Sequence, residues 1–306
     1  MSFIVCIGET VFDIIFKNNV PVDGKAGGSM LNASVSLGRL GTNVNYISVV
    51  GNDTLGKEIV TFLNSNNVHT GYSILSTAYK TNIALAFLNE RGNATYSFYK
   101  SDYFSEFKQT DLPEFRYLLF GSFFSMHQLT SELLLSYIKR LDNMNGVALY
   151  DPNVRKSGHE YTHIHKQLFF TYVSLCSVLR ASDEDLFHLL NETDFSRIVT
   201  QLTEVNKNLI IIYTMAERGV YYYVNNKVYF INDEPIDVIS SIGAGDTFNA
   251  GLLYWMYKNQ FTKTMLLSIT EMQLLEMVKT AMYFARKVCT IYDNYLDLET
   301  AEKFKI

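Results

Sequence analysis

Short apolar runs that alternate with helix-like segments restrict the fold of this chain more than any other feature of its sequence. The four clearest runs lie at 117–121, 147–151, 177–181 and 209–214. Buried strands that alternate with helices form a parallel sheet covered on both faces. A further helix is predicted at 271–289, where apolar residues recur at helical spacing. We therefore predict an α/β fold with a mostly parallel central sheet and helices on both of its faces.

A second pattern, alternating rather than helical, is found between residues 72 and 107. Two runs rich in β-branched and aromatic residues flank a turn-like segment at 89–93, which is a β-hairpin signal. We predict that strands within about 10–25 and 72–107 form a small sheet that projects from a single domain spanning residues 1–306.

Composition and charge argue against several classes of function. The 306 residues are 48% hydrophobic and 19% charged, with a net charge of −5 and no basic run, which disfavours nucleic acid or an anionic membrane as the main partner. Cys6, Cys176 and Cys289 are few and far apart, which favours a reducing compartment. The first strand has no basic leader, and no apolar run reaches membrane-spanning length, so we expect a cytoplasmic protein.

A glycine-rich loop precedes an amphipathic helix in segment 240–251, Ser-Ser-Ile-Gly-Ala-Gly-Asp-Thr-Phe-Asn-Ala-Gly. Gly243 and Gly245 permit unusual backbone angles and close approach by a ligand. The start of the following helix offers unpaired N–H groups and the positive end of its dipole, which suit a phosphate. Asp246 lies in the first turn, where the residues alone leave two roles open. It is either a helix-stabilising charge or a general base for a group that attacks the phosphate.

Two segments resemble the signatures of one enzyme family. Gly-Ala-Gly-Asp at 243–246 enters the helix, and Gly-Gly-Ser-Met-Leu-Asn-Ala at 27–33 leads to Arg-Leu-Gly at 39–41. The chain resembles the ribokinase-like (PfkB-type) carbohydrate kinases, and among them most closely the fructokinases. The resemblance implies a ribokinase-like fold and transfer of the γ-phosphoryl group of ATP to a primary hydroxyl of a sugar, with fructose giving fructose 6-phosphate. Ribokinase or nucleoside kinase activity is the alternative within the family.

The same resemblance implies a role for individual residues, beginning with Asp246 as the catalytic base. The implied anion hole consists of Gly243, Ala244 and Gly245. The implied substrate-binding residues are Asp13, Gly27, Gly28, Asn32, Asn153 and Arg155. The implied nucleotide-binding residues are Ser182, Thr214 and Gly219, with Asp185 acting indirectly on the metal. ATP and Mg²⁺ are the implied cofactors, and activation by a monovalent cation is left open.

The small sheet would then be a lid over the sugar, which excludes water from the reaction. Lids in this family often pair between subunits, so the resemblance leaves open a homodimer through the lid, and the sequence does not fix the oligomeric state. Simpler interpretations remain for three of the residues. Asp13 can be a solvated loop acid, Arg155 can belong to a surface ion pair, and Ser182 can serve only as a helix cap.

The chain departs from the family pattern at several positions. Ala216 replaces a glycine, Ser240 and Ile242 replace the Asp and Thr of members that bind a monovalent cation, and Arg286 replaces an asparagine near adenine. These departures keep open a non-catalytic sugar-binding or regulatory protein on the same fold.

Two further motif matches are interpreted as coincidental. A buried strand is predicted at 44–50, and residues 51–57 directly after it have the spacing of a P-loop. However, Glu58 stands where a magnesium-binding hydroxyl is needed, and Asp53 adds a negative charge. His-Glu-Tyr-Thr-His at 159–163 has the spacing of a zinc-peptidase helix. Because this segment is polar rather than part of a long core helix, we favour a solvated helix start and keep a zinc hydrolase as the other class of function.

Overall fold

The computed structural model describes residues 3–88, 94–108, 112, 114–154 and 162–306. Its strands are β1 (Phe3–Ile7), β2 (Val11–Lys17), β3 (Val20–Gly27), β4 (Val44–Ile47), β5 (Val49–Gly51), β6 (Val68–His69), β7 (Ile74–Ser76), β8 (Ile83–Leu88), β9 (Ala94–Tyr99), β10 (Phe115–Gly121), β11 (Val147–Asp151), β12 (Val178–Ser182), β13 (Ile210–Thr214), β14 (Val220–Val224) and β15 (Lys227–Ile231). Its α-helices are α1 (Ser29–Arg39), α2 (Thr54–Ser65), α3 (Ser122–Met126), α4 (Gln128–Asn143), α5 (His163–Leu175), α6 (Asp183–Leu190), α7 (Phe195–Val205), α8 (Ala244–Lys258), α9 (Lys263–Leu267), α10 (Glu271–Cys289) and α11 (Leu298–Phe304).

A nine-stranded sheet with the order β15-β14-β13-β12-β11-β10-β1-β4-β6 forms the centre of the molecule. The strands from β13 to β6 in this order run parallel, and β14 and β15 form an antiparallel hairpin at one edge. The register places Gly121 opposite Asp151 and Ser182 opposite Thr214, so two predicted site residues, Ser182 and Thr214, end adjacent strands at one edge. The predicted mostly parallel central sheet is confirmed.

Helices cover both faces of this sheet and bury two separate apolar clusters. One cluster joins the sheet to α1, α8 and α10, and the other joins it to α4, α5 and α7. A side chain at Gly251 would place its Cβ 2.5 Å from the Cα of Ala281, so this glycine allows α8 and α10 to pack closely. The packing fixes α8, whose first turn carries the predicted catalytic residue.

A small four-stranded sheet with the order β3-β2-β8-β9 lies apart from the central sheet. A two-residue turn at Asn18 and Asn19, both with positive φ, joins β2 to β3 as in a twisted hairpin. The predicted small sheet is confirmed. The predicted turn at 89–93 lies outside the described residues, and the assignment of lid and domain boundaries stays a prediction.

Two local features differ from the sequence-based expectation. The apolar run at 44–50 was predicted as one strand, but it divides into β4 and β5, and β5 pairs with β7 in a separate two-stranded sheet. The β14–β15 hairpin was not predicted.

No helix in the described part of the chain is long and apolar enough to cross a membrane. The cellular compartment stays a prediction.

Candidate active site

A cavity of about 260 Å³ lies between the small sheet and the carboxyl ends of β1, β10 and β11. Ligands of open α/β sheets collect at this edge. Four residues predicted to bind substrate contribute to its wall, namely Asp13, Gly28, Asn32 and Asn153. Its wall also includes residues that the sequence reasoning missed, among them Glu9, Ser29, Lys100 and Asn294.

Asp13 belongs to β2, where it lies opposite Lys25. A Cβ atom at Gly27 would be 2.2 Å from Oδ2 of Asp13, so only glycine leaves room for this carboxylate. Gly28 has a φ of 130°, and its Cβ would be 2.5 Å from the carbonyl oxygen of Glu9. The two glycines therefore bring the start of α1 close to both β2 and the segment after β1.

Asp246 lies in the first turn of α8, is 6% exposed, and is held by two side chains of α1. Ser29 Oγ donates to its Oδ1 at 2.5 Å, and Asn32 Nδ2 donates to its Oδ2 at 2.8 Å. Ser29 and Asn32 line the cavity, whereas Asp246 does not. The carboxylate therefore lies behind the cavity wall, hydrogen-bonded to two of the side chains that form it. Asn32 also buries its Oδ1 without a hydrogen-bond partner in the described structure, which leaves an acceptor for a ligand hydroxyl.

The glycine loop makes two close approaches that side chains would prevent. Gly243 has a φ of 81°, and its Cβ would be 2.0 Å from the carbonyl oxygen of Asn294. The Cβ of Gly245 would be 2.7 Å from Nη1 of Arg180. The amide of Ala244 donates to the carbonyl oxygen of Ser241 at 3.3 Å, so one of the predicted anion-hole amides has a partner within the loop.

Arg180 was not among the predicted site residues. It belongs to β12, and its guanidinium lies beneath this loop. Its Nη1 is 3.1 Å from Oδ2 of Asp151, and its Nη2 donates to Thr214 Oγ1 at 2.8 Å. Asn249 of α8 also donates to Asp151 at 2.5 Å. The ends of β11 and β13, Arg180 of the intervening strand β12 and the first two turns of α8 thus meet in one buried polar cluster.

Ser182 and Asp185 form a capping box at the start of α6. Ser182 donates to Oδ2 of Asp185 from both its backbone nitrogen and its hydroxyl, and the backbone nitrogen of Val154 donates to Oδ1 at 2.6 Å. Both carboxylate oxygens are thus engaged within the protein. The described residues contain no cluster of three or more His, Cys, Asp or Glu side chains that can hold a metal. An indirect role for Asp185 near magnesium stays a prediction.

The pKa of Asp185 is raised from 3.8 to about 6. Burial is the largest cause, and the negative charge of the nearby Asp151 carboxylate is the second. Since the folded state binds this proton more tightly than the unfolded chain, the associated stability is fully present below about pH 3.8 and is lost as pH rises through about 6.

The free energy of unfolding should therefore decline between about pH 3.8 and 6, and we expect Asp185→Asn to make this decline smaller, as measured by urea denaturation. Asp194→Asn, at the exposed cap of α7, is the matched control and should leave the decline unchanged. An equal decline in wild type and Asp185→Asn would contradict the assignment.

The predicted nucleotide residues lie toward the β13–β15 edge. Gly219 has a φ of 99°, and its Cβ would be 2.2 Å from the carbonyl oxygen of Ile231, so the β15 backbone alone explains this glycine. Ala216 has a φ of 48° and therefore adopts the left-handed region despite its methyl group. Arg286 pairs with Glu234 at 2.7 Å and with Asp233 at 3.5 Å. The nucleotide-binding roles of Ser182, Thr214 and Gly219 stay predictions.

Three residues of the sequence-based hypotheses, Arg155, His159 and Glu160, lie outside the described residues. His163, the other candidate zinc ligand, begins α5. In the P-loop-like segment, the Asp53 carboxylate caps α2 by accepting from the backbone nitrogen of Gly56 at 3.0 Å. This contact gives Asp53 a structural role, in agreement with the interpretation of that motif as coincidental.

Comparison with known proteins decides the family. A family model described as pfkB family carbohydrate kinase matches residues 1–301. The chain belongs to the pfkB family of carbohydrate kinases. It is 23% identical to the fructokinase of Salmonella typhimurium over 253 residues, which cover 81% of this chain and 82% of that protein. The predicted enzyme class, a carbohydrate kinase, is confirmed.

Solved structures show the pfkB fold at low sequence identity. The fructokinase of Vibrio cholerae O395, in a form with fructose, ADP and calcium ion bound, matches with a TM-score of 0.85 and 20% identity over 100% of this chain and 99% of that one. The aminoimidazole riboside kinase of Salmonella enterica, complexed with aminoimidazole riboside and an ATP analog, matches with a TM-score of 0.82 and 20% identity over 99% of each chain. The predicted ribokinase-like fold is confirmed.

Proposed function

We propose that this pfkB-family kinase transfers the γ-phosphoryl group of ATP to a primary hydroxyl of a sugar, and that fructose, giving fructose 6-phosphate, is its substrate. One observation carries the proposal. Ser29 and Asn32 line the cavity and at the same time hold the Asp246 carboxylate beside the glycine loop. A sugar in the cavity and a phosphate at the start of α8 would therefore meet at this carboxylate.

Asp246 would accept the proton of the attacking hydroxyl. An ionised carboxylate offers about four acceptor sites, so the bonds from Ser29 and Asn32 do not by themselves exclude an alcohol. The first-turn amides of α8, in the loop formed by Gly243, Ala244 and Gly245, would stabilise charge on the transferring phosphoryl group. Mg²⁺ that arrives with the nucleotide would neutralise part of the phosphate charge. In this proposal the nucleotide phosphates would hold the Mg²⁺ ion, and Asp185 would influence the ion only indirectly, without contacting it.

The sugar would be recognised by polar groups of both sheets. Asp13 of β2 and Asn153 after β11 line the cavity, and a carboxylate and an amide would both suit hydroxyl groups. Phe98 and Lys100 reach the cavity from the small sheet and its end. The small sheet would thus act as a lid that keeps water from the phosphoryl group. A homodimer formed through this lid stays a prediction.

The test is release of ADP from ATP and Mg²⁺ in the presence of a sugar panel that includes fructose, ribose and a ribonucleoside. We expect fructose to give the highest kcat/KM, with phosphate found on its primary hydroxyl by NMR. A higher value for the ribonucleoside would select the alternative within the family. Sugar binding by calorimetry without any release of ADP would instead support a non-catalytic sugar-binding protein and overturn the proposed activity.

A further inference from the structure

Arg180 places a buried positive charge directly beneath the glycine loop. Its side chain is 11% exposed, and its guanidinium lies 2.7–3.3 Å from the position that a Cβ of Gly245 would occupy. It also lies 5.6 Å from the centre of the Phe248 ring, in the first turns of α8. The loop contains glycine at 245 because the guanidinium fills the space that a side chain would need.

The bonds of Arg180 connect the two sides of the candidate site. Asp151 accepts from Arg180 through Oδ2 and from the backbone nitrogen of Asn153, a cavity residue, through Oδ1 at 3.1 Å. On the other side, Arg180 donates to Thr214, a predicted nucleotide-binding residue. Arg180 thus lies where the substrate side, the nucleotide side and the loop meet.

The need to neutralise the Asp151 carboxylate does not fully explain why a buried arginine is present at position 180. Asp151 is completely buried and already accepts a hydrogen bond from Asn249. Buried ion pairs often contribute no more to stability than apolar residues of the same shape. Nε of Arg180, moreover, is buried without a hydrogen-bond partner in the described structure, so the site does not satisfy the guanidinium fully. Such a group is retained more readily when its charge serves a ligand.

We propose that Arg180 is the fixed cation of the phosphate site, a positioning residue that acts through the loop at Gly245; the inference rests on the proposed kinase function. A helix start contributes only about half of a positive charge. A guanidinium in contact with the loop adds to the positive potential at the α8 amides. It favours the phosphates when the nucleotide binds, and favours the transferring group further as charge develops on it.

The test uses a charge-neutral double variant, because Arg180→Met alone would leave the buried Asp151 carboxylate unpaired and can unfold the protein. We expect Arg180→Met with Asp151→Asn to unfold cooperatively, to lower kcat by about 10²-fold, and to raise the Kd of Mg·ATP by roughly tenfold. The KM for the sugar should change little. Arg180→Lys keeps a point charge and should recover a large part of kcat.

The matched control is Arg218→Met with Asp183→Asn, an exposed Arg–Asp pair at the same edge of the sheet. It should leave kcat and the Kd of Mg·ATP unchanged. A folded Arg180→Met, Asp151→Asn variant with the kcat and Mg·ATP affinity of wild type would overturn the inference. If wild type releases no ADP with any sugar, the proposed function fails, but calorimetry with Mg·ATP still decides the inference about Arg180. Unchanged affinity in the double variant would then overturn it.

Discussion

The Asp246→Asn variant should lose about 10²- to 10⁴-fold in kcat, the range that a general base contributes. An amide keeps the shape of the carboxylate but cannot take a proton from the sugar hydroxyl. Ser29 and Asn32 donate to different oxygens of this side chain. The amide keeps one acceptor oxygen for Asn32, and the Ser29 hydroxyl can rotate to accept from the amide NH2, so the start of α8 should keep its position. Steady-state kinetics with saturating ATP and sugar measure the loss.

Measurement of sugar binding separates this loss of kcat from a folding defect. We expect calorimetry to give nearly the wild-type Kd for the sugar, since the cavity wall itself contains Ser29 and Asn32 rather than Asp246. Asp297→Asn is the control, because Asp297 caps α11 through the backbone nitrogen of Thr300 and is not part of the cavity wall. A kcat for Asp246→Asn within tenfold of wild type would remove Asp246 as the base.

The sequence predicted best those elements whose signals are local. The helix predicted at 271–289 is found with the same ends, because apolar residues recur at helical spacing and Thr270 forms a capping box with Gln273. The prediction of a single strand at 44–50 was wrong because a mostly apolar run does not reveal where the chain leaves one sheet for another. The break falls at Ser48, whose hydroxyl pairs with Thr10.

The β14–β15 hairpin had a signal that was overlooked. Its strands are dense in Tyr, Val and Phe, and the turn between them is Asn225-Asn226. Both asparagines have positive φ, as the tight hairpin turn requires. Asparagine tolerates this conformation better than most residues, so the pair marks the turn even without glycine.

The candidate site was predictable only where a short motif carries it. The loop at 243–246 and the segment at 27–33 gave Asp246 and Asn32, and the structure brings these two side chains into contact. Arg180 was missed because its partners, Asp151 and Thr214, belong to other strands. Their meeting depends on the pairing of strands that are far apart in the sequence, which no local motif shows.

The glycine loop should be nearly as sensitive as the base, and Gly243→Ala tests it. Alanine at a φ of 81° is strained by about 1–2 kcal/mol. Its methyl carbon would also lie 2.0 Å from the carbonyl oxygen of Asn294, a backbone atom that has no rotamer with which to move away. The loop must therefore shift. Because a displacement of about 1 Å in a reacting site can cost 10²-fold in rate, we expect kcat/KM for ATP to fall by at least about 10²-fold.

The control for Gly243→Ala is Gly71→Ala, since a Cβ at Gly71 meets no atom within 4 Å. Both variants add one methyl group, but only the first adds it between the loop and the segment that contains Asn294. Thermal unfolding should show a lower Tm for Gly243→Ala than for Gly71→Ala. Wild-type kinetics with ATP in a folded Gly243→Ala protein would show that phosphate does not depend on this loop, and the proposed geometry of transfer would have to be abandoned.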